Sequence, residues 1–174
     1  MAMKAMKQFY VAYGSNLNKA QMKYRCPHAK PFCSGVIEDY ELLFKGSKTG
    51  SYATIEPKKG SSVPVGVWEI DPRDEANLDR YEGFPTFYYK KYVVVRTKLG
   101  EVRGNSLSAM VYIMHEDHPI GRPSMRYVNT CLEGYDDFGL NKMEFYDALM
   151  TNAVQARNAA ADALASGYDY GDDF

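Results

Sequence analysis

Residues Val63–Gly83 read VPVGVWEIDPRDEANLDRYEG, and their two halves obey different rules. Val63, Val65, Val67, Trp68 and Ile70 make a β-branched and aromatic run, and a glycine within such a run, Gly66, marks a bend or a close backbone approach. Asp71 before Pro72 is then an N-cap followed by a first-turn proline, which predicts about three helical turns ending at Gly83. Working outward, strand-like runs stand on both sides: Lys30–Glu38, Tyr40–Gly46 and Tyr52–Pro57 before, Thr86–Lys98 and Ser106–Met114 after. Counting Val63–Ile70, six strands with one embedded helix follow the opening run Phe9–Ala12. Strands so short and so numerous do not fit an alternating βαβ design. They predict an α+β fold with a curled or barrel-like sheet.

The helical segments fall at the two ends. Asn18 caps a predicted helix over Lys19–Arg25, whose Met22 faces the core and which Cys26-Pro27 stops. Past Met114, residues 122–139 and 141–166 have helical spacing with Gly139 between them, so the C-terminal quarter is predicted helical. In the last helix the spacing of Met143, Phe145, Leu149 and Val154 predicts a buried face, set against the domain or against a second copy in a homodimer. Residues 167–174, GYDYGDDF, are acidic and aperiodic and predict a frayed tail.

Composition excludes several function classes. With 174 residues, 45% apolar and 25% charged, one domain is the default. Lysine and arginine total 21 against 22 acidic residues, so the chain has no positive field for a nucleic acid, although the aromatic and Lys-rich run Thr86–Lys98 has the residue types of a single-strand-binding surface. No stretch approaches the roughly 20 apolar residues of a membrane span, and Met1–Phe9 lacks a signal-peptide core. Three cysteines, Cys26, Cys33 and Cys131, fit reduced thiols. Together these predict a cytoplasmic protein with neither a nucleic-acid nor a membrane partner.

Two stretches have residues suited to chemistry. After Phe9–Ala12 the chain meets Gly14-Ser15-Asn16, where a glycine lets successive N–H groups turn outward as a cradle for a carboxylate, oxyanion or phosphate. The same residues also suit a tight turn with an Asn helix cap. Glu82, between Tyr81 and Gly83 at a helix C-terminus and ahead of Phe84-Pro85-Thr86-Phe87-Tyr88-Tyr89, is a carboxyl open to desolvation and to a helix end's negative charge, both of which raise its pKa. A solvated glutamate is the plain alternative. Cys26, His28 and Cys33, or His115 and His118, complete no closed zinc pattern, and no Gly-x-Ser-x-Gly elbow occurs, so neither a metal nor a Ser–His triad is expected.

Taken in order, YGSNLNKAQMKYRCP (Tyr13–Pro27), ATIEP (Ala53–Pro57), PVGVWEI (Pro64–Ile70), LDRYEGFPTFYYKKYVVV (Leu78–Val95) and RPSMRYVNTCLEGYDDFGL (Arg122–Leu140) resemble the γ-glutamylcyclotransferase family, including its AIG2-like proteins. The resemblance covers roughly Phe9 to Leu140. It implies a small mixed β-barrel with flanking helices over residues 1–140, followed by a C-terminal helix over 141–166 and the acidic tail. It implies further that Tyr13, Gly14, Ser15, Asn16 and Leu17 form a substrate-binding loop and that Glu82 is the catalytic acid/base. A pocket tyrosine follows the glutamate by six or seven positions, at Tyr88 or Tyr89, with the Tyr-Lys-Lys that follows favouring Tyr89; another falls on Tyr127. Arg122 or Arg126 and the Phe84–Tyr89 run are the candidates for a leaving-group pocket.

The implied reaction needs no cofactor. A γ-glutamyl group has an α-ammonium and, three carbons on, an amide carbonyl, so its own nitrogen can close a five-membered lactam, 5-oxoproline, and expel an amine. The site must provide a base, oxyanion stabilisation, a proton for the leaving nitrogen and a folded-back substrate. The competing reading is a non-catalytic small-molecule binding member of the same fold.

Overall fold

The computed structural model describes residues 6–47, 49–98 and 105–166. Its strands are β1 (Gln8–Ala12), β2 (Lys30–Ser47), β3 (Gly50–Ile70), β4 (Tyr88–Lys98) and β5 (Ser106–Met114). They close into a barrel in the order β1-β3-β2-β4-β5, so the fold is a mixed barrel with helices outside it. Every neighbouring pair is antiparallel except β1 and β5, which run parallel with Tyr10 opposite Met110. The helices are α1 (Lys19–Arg25), α2 (Pro72–Glu82), α3 (Met125–Asp137) and α4 (Lys142–Ser166), with a 3-10 turn at Ser15–Leu17.

The strand count differs from the expected one. Lys30–Glu38 and Tyr40–Gly46 are one strand, as are Tyr52–Pro57 and Val63–Ile70, and the two make a single long hairpin with a register shift between Glu38 and Tyr40. At that shift Asp39 takes a left-handed φ of 59° and its carboxylate accepts from the Gly60 N–H at 2.8 Å. A bulge of this kind bends the ladder without ending it. Asp39 and the exposed Lys58-Lys59-Gly60 stretch therefore carry turn-like residues inside continuous strands.

α2 begins as its sequence dictates. Asp71 accepts from the N–H groups of Arg73 and Asp74, Asp74 reciprocates to the Asp71 N–H, and Gly83 ends the helix in the left-handed region at φ 65°. Met22 of α1 is fully buried, as its spacing predicts. On α4 the buried face is not the expected one. Phe145 and Asn152 are buried and Leu149 packs against the core, whereas Met143 and Val154 lie on the opposite side with Tyr146 and Met150 and are exposed. Residues 167–174, predicted as a tail, lie outside the described residues.

Asn152 is the polar clamp of that docked face. Its Oδ1 accepts from the Phe44 N–H of β2 at 2.9 Å and its Nδ2 donates to the Gly121 carbonyl at 2.7 Å. Asn152→Ala is expected to cost about 2 kcal/mol, because it strands a buried donor and an acceptor at once. Urea unfolding of the purified variant checks this value.

Candidate active site

One open cavity of about 370 Å³ lies where the end of β1, the start of β3's paired segment, the last turn of α2, β4, β5 and α3 converge. Gly14, Ser15 and Asn16 form one wall, Glu82 another, and tyrosines from four strands and two helices make up much of the rest.

The loop is held rigidly from behind. Leu17 is fully buried and wedged between two glycines: a Cβ on Gly66 of β3 would stand 2.8 Å from Leu17 Cδ2, and one on Gly134 of α3 would stand 2.5 Å from Leu17 Cβ. The close approach that Gly66 predicts is therefore made by Leu17, with Phe138 beside it. Trp68 Nε1 donates to the Asn16 carbonyl at 3.0 Å, and Asn18 both caps α1 and reaches Glu133 and Thr130 of α3. Gly14 is packed closely as well, with a Cβ there meeting Tyr127 Oη at 2.9 Å and Ala53 Cβ at 3.0 Å.

Leu17 is consequently an anchor and does not line the cavity. Its N–H is taken by the Gly14 carbonyl at 3.1 Å, and the Asn18 N–H by the Ser15 carbonyl, so the 3-10 turn consumes those two donors. The N–H groups of Ser15 and Asn16 head the turn, which does not use them.

Glu82 closes the opposite side. Its Oε1 accepts from Asn16 Nδ2 at 2.9 Å, which joins the loop to the end of α2 across 66 residues of sequence. The same amide also donates to Tyr10 Oη at 2.9 Å. Burial raises the Glu82 pKa to about 7, against the lowering effects of the Arg25 charge and the Asn16 hydrogen bond. A carboxyl so poised exchanges a proton readily near neutral pH.

Tyr13 and Tyr127 line the cavity wall. Tyr13 Oη donates to the Tyr112 carbonyl at 2.6 Å, and Tyr127 Oη accepts from the Ala53 N–H at 3.0 Å. Tyr89 does not. It lies on the face of β4 shared with Val93 and paired with Ile113, and its hydroxyl donates to Glu116, away from the cavity. Tyr88, on the other face with Lys90 and opposite Met114, lines the cavity and donates to the Ala53 carbonyl at 2.8 Å. Strand alternation thus selects the first tyrosine of the pair. Arg122 and Arg126 are also exposed and outside the cavity lining; the arginine that lines it is Arg80, at its mouth.

Three contributors were missed in the sequence: Tyr10, Tyr112 and Arg25. Tyr10 and Tyr112 sit on adjacent paired strands, a relation that only barrel closure creates. Arg25 lies within the quoted Tyr13–Pro27 stretch, seven residues past the Asn18 cap, so one α1 helix length returns it toward Asn16. His28, Asp71 and Asp74 converge within 4.8 Å, but both carboxylates are spent on the α2 cap, Arg73 and the His28 N–H. Among the described residues no helix is long and apolar enough to cross a membrane.

Comparison with known proteins finds matches in both sequence and fold. The family model described as gamma-glutamyl cyclotransferase, AIG2-like, matches residues 10–129. The chain is 32% identical to the human gamma-glutamylcyclotransferase over 149 residues, covering 80% of this chain and 76% of the human one. It is 30% identical to the mouse gamma-glutamylcyclotransferase over 140 residues, covering 75% and 71% respectively. A solved structure described as a gamma-glutamyl cyclotransferase superposes with a TM-score of 0.73 at 28% identity, covering 83% of this chain and 87% of that one.

Proposed function

The chain belongs to the gamma-glutamyl cyclotransferase, AIG2-like family, and from that premise we propose that it cyclises the γ-glutamyl group of a γ-glutamyl amino acid or amine to 5-oxoproline, with Glu82 as the general acid/base. The observation that carries the assignment of Glu82 is its carboxyl, drawn into the cavity by Asn16 and raised by burial to about 7.

In the reaction the Glu82 carboxylate takes a proton from the substrate's α-ammonium. The freed amine attacks the γ-carbonyl carbon, forming the lactam C–N bond and placing negative charge on the carbonyl oxygen. As the tetrahedral centre collapses, the bond to the leaving nitrogen breaks and Glu82 returns the proton to that nitrogen; Glu82 then relays the second proton of the new lactam nitrogen to the freed amine, which departs as its ammonium. One carboxylate thus serves both steps, and no water or external nucleophile is consumed. The N–H groups of Gly14, Ser15 and Asn16 are the donors proposed for the substrate's anionic oxygens, with Tyr13 and Tyr127 shaping the wall behind them. Proton transfer of this kind contributes about 10²–10⁴-fold, and holding the substrate folded back supplies more.

Incubation with a panel of γ-glutamyl amino acids and γ-glutamylamines, with 5-oxoproline and released amine measured by mass spectrometry, tests the reading. Stoichiometric release of both is expected, and no release from any member of the panel sinks it. On the best substrate of that panel Tyr88→Phe is expected to lower kcat/KM about tenfold, since it unpairs the Ala53 carbonyl at the wall. Tyr89→Phe should stay within about twofold of wild type. The reverse order would reassign the two tyrosines.

A further inference from the structure

A hydrogen-bond chain enters the cavity wall from outside it. Arg25, at the last turn of α1, donates from one guanidinium nitrogen to Asn16 Oδ1 at 2.6 Å and from the other to Gln21 Oε1 at 2.8 Å. Its guanidinium also stacks on the Tyr81 ring, 3.7 Å from the centroid. Asn16 passes the connection on, with Nδ2 donating to Glu82 Oε1. Because Arg25 has only donors to offer, it dictates which end of the Asn16 amide faces it, and so ensures that the NH₂ end faces Glu82.

We propose that Arg25 is a positioning residue for Glu82: through Asn16 it fixes the donor that orients the carboxylate, and it sets a cation directly behind that amide. The role of Glu82 as acid/base is the reading argued above, on which the kinetic part of this inference rests.

The other groups facing Glu82 supply no compensating charge. Tyr10 and Tyr13 at β1, Tyr88 of β4, Tyr112 of β5 and Tyr127 of α3 are all pushed upward by burial and stay neutral, as does Cys26 after α1, pushed up to about 12. Arg80 of α2 is exposed and turned to Asn77. Arg25 is the cation whose field lowers the Glu82 pKa. An arginine suits the place better than a lysine, since two of its nitrogens serve Asn16 and Gln21 while the plane stacks on Tyr81.

The test titrates the Glu82 carboxyl directly, by ¹³C NMR of protein labelled at glutamate side chains, with Glu82→Gln identifying the resonance. Wild type, Arg25→Gln and Arg25→Lys are compared, alongside the pH dependence of kcat/KM for 5-oxoproline release. Arg25→Gln is expected to move the carboxyl midpoint up by about one pH unit. The acidic limb of kcat/KM moves with it, so that the loss is about fivefold at pH 7 and shrinks at pH 9. Arg25→Lys, which keeps the charge, shows less than half that shift and covers the case of a poorly folded glutamine variant. An unmoved midpoint in Arg25→Gln overturns the proposal. A midpoint that moves while the rate profile stays put keeps the link between Arg25 and Glu82 and instead removes Glu82 from the role of acid/base.

Discussion

Glu82→Gln is expected to release 5-oxoproline about a thousandfold more slowly than wild type and yet to be the more stable protein at pH 8. The rate effect follows from removing the only group proposed to carry the proton in both steps, for which losses of 10²–10⁴ are usual. The stability effect follows from the raised pKa. The folded state binds the Glu82 proton up to about pH 7, while in the unfolded chain a glutamate releases it near its ordinary value of 4.5. Between those values the folded state holds more protons, so this group's contribution falls as pH rises through the window and stays lost above it. Glutamine has the same shape without the charge and escapes that penalty. The expected gain is about 3 kcal/mol at pH 8, shrinking to nothing below pH 4.5. Urea unfolding of both proteins at pH 8 and pH 4.5 measures it. Equal stability at pH 8 would mean that Glu82 is ordinarily solvated.

The second large effect lies outside the cavity. Gly134→Ala places a methyl 2.5 Å from Leu17 Cβ and 2.7 Å from the Leu17 carbonyl carbon and the Asn18 nitrogen. Two of these three contacts are backbone atoms of the loop, so α3 or the loop has to shift. Within an exposed helix the same change would add close to 1 kcal/mol. Here overpacking reverses the sign, and a net loss of about 2 kcal/mol is expected, seen as a fall in Tm of roughly 4–8 °C. The loop's displacement also pulls Asn16 from Glu82, so kcat/KM should drop at least tenfold in protein that is still folded at 25 °C. A variant with wild-type Tm and rate would show that the loop does not depend on the packing of α3.

How much of this was legible beforehand depended on how local the determinant was. The Asp71-Pro72 start and Gly83 end of α2, the Asn18 cap of α1 and the span Ser106–Met114 of β5 were all readable, because caps and strand runs are written within a few residues. Glu82 was readable as a candidate for the same reason, by its place between a helix end and an aromatic run. Long-range facts were not. The bulge at Asp39 imitates a turn in sequence and becomes a strand only because Gly60, 21 residues on, supplies its partner. Tyr88 and Tyr89 are indistinguishable until β4 is registered on β5. Leu17 belongs to the loop by sequence, and its role as an anchor follows from Gly66 and Gly134 meeting it from two different elements. The docked face of α4 was misjudged because a buried asparagine, Asn152, and Phe145 define it, leaving two of the apolar residues with helical spacing outside.

The account's central claim is that one half-buried carboxylate moves the proton, and the pH dependence of kcat/KM for 5-oxoproline release by the wild-type protein tests it most directly. The prediction is an acidic limb with an apparent pKa close to 7, at the midpoint of the Glu82 carboxyl's own titration. A limb near 4.5, or one that persists unchanged in the residual activity of Glu82→Gln, would contradict it.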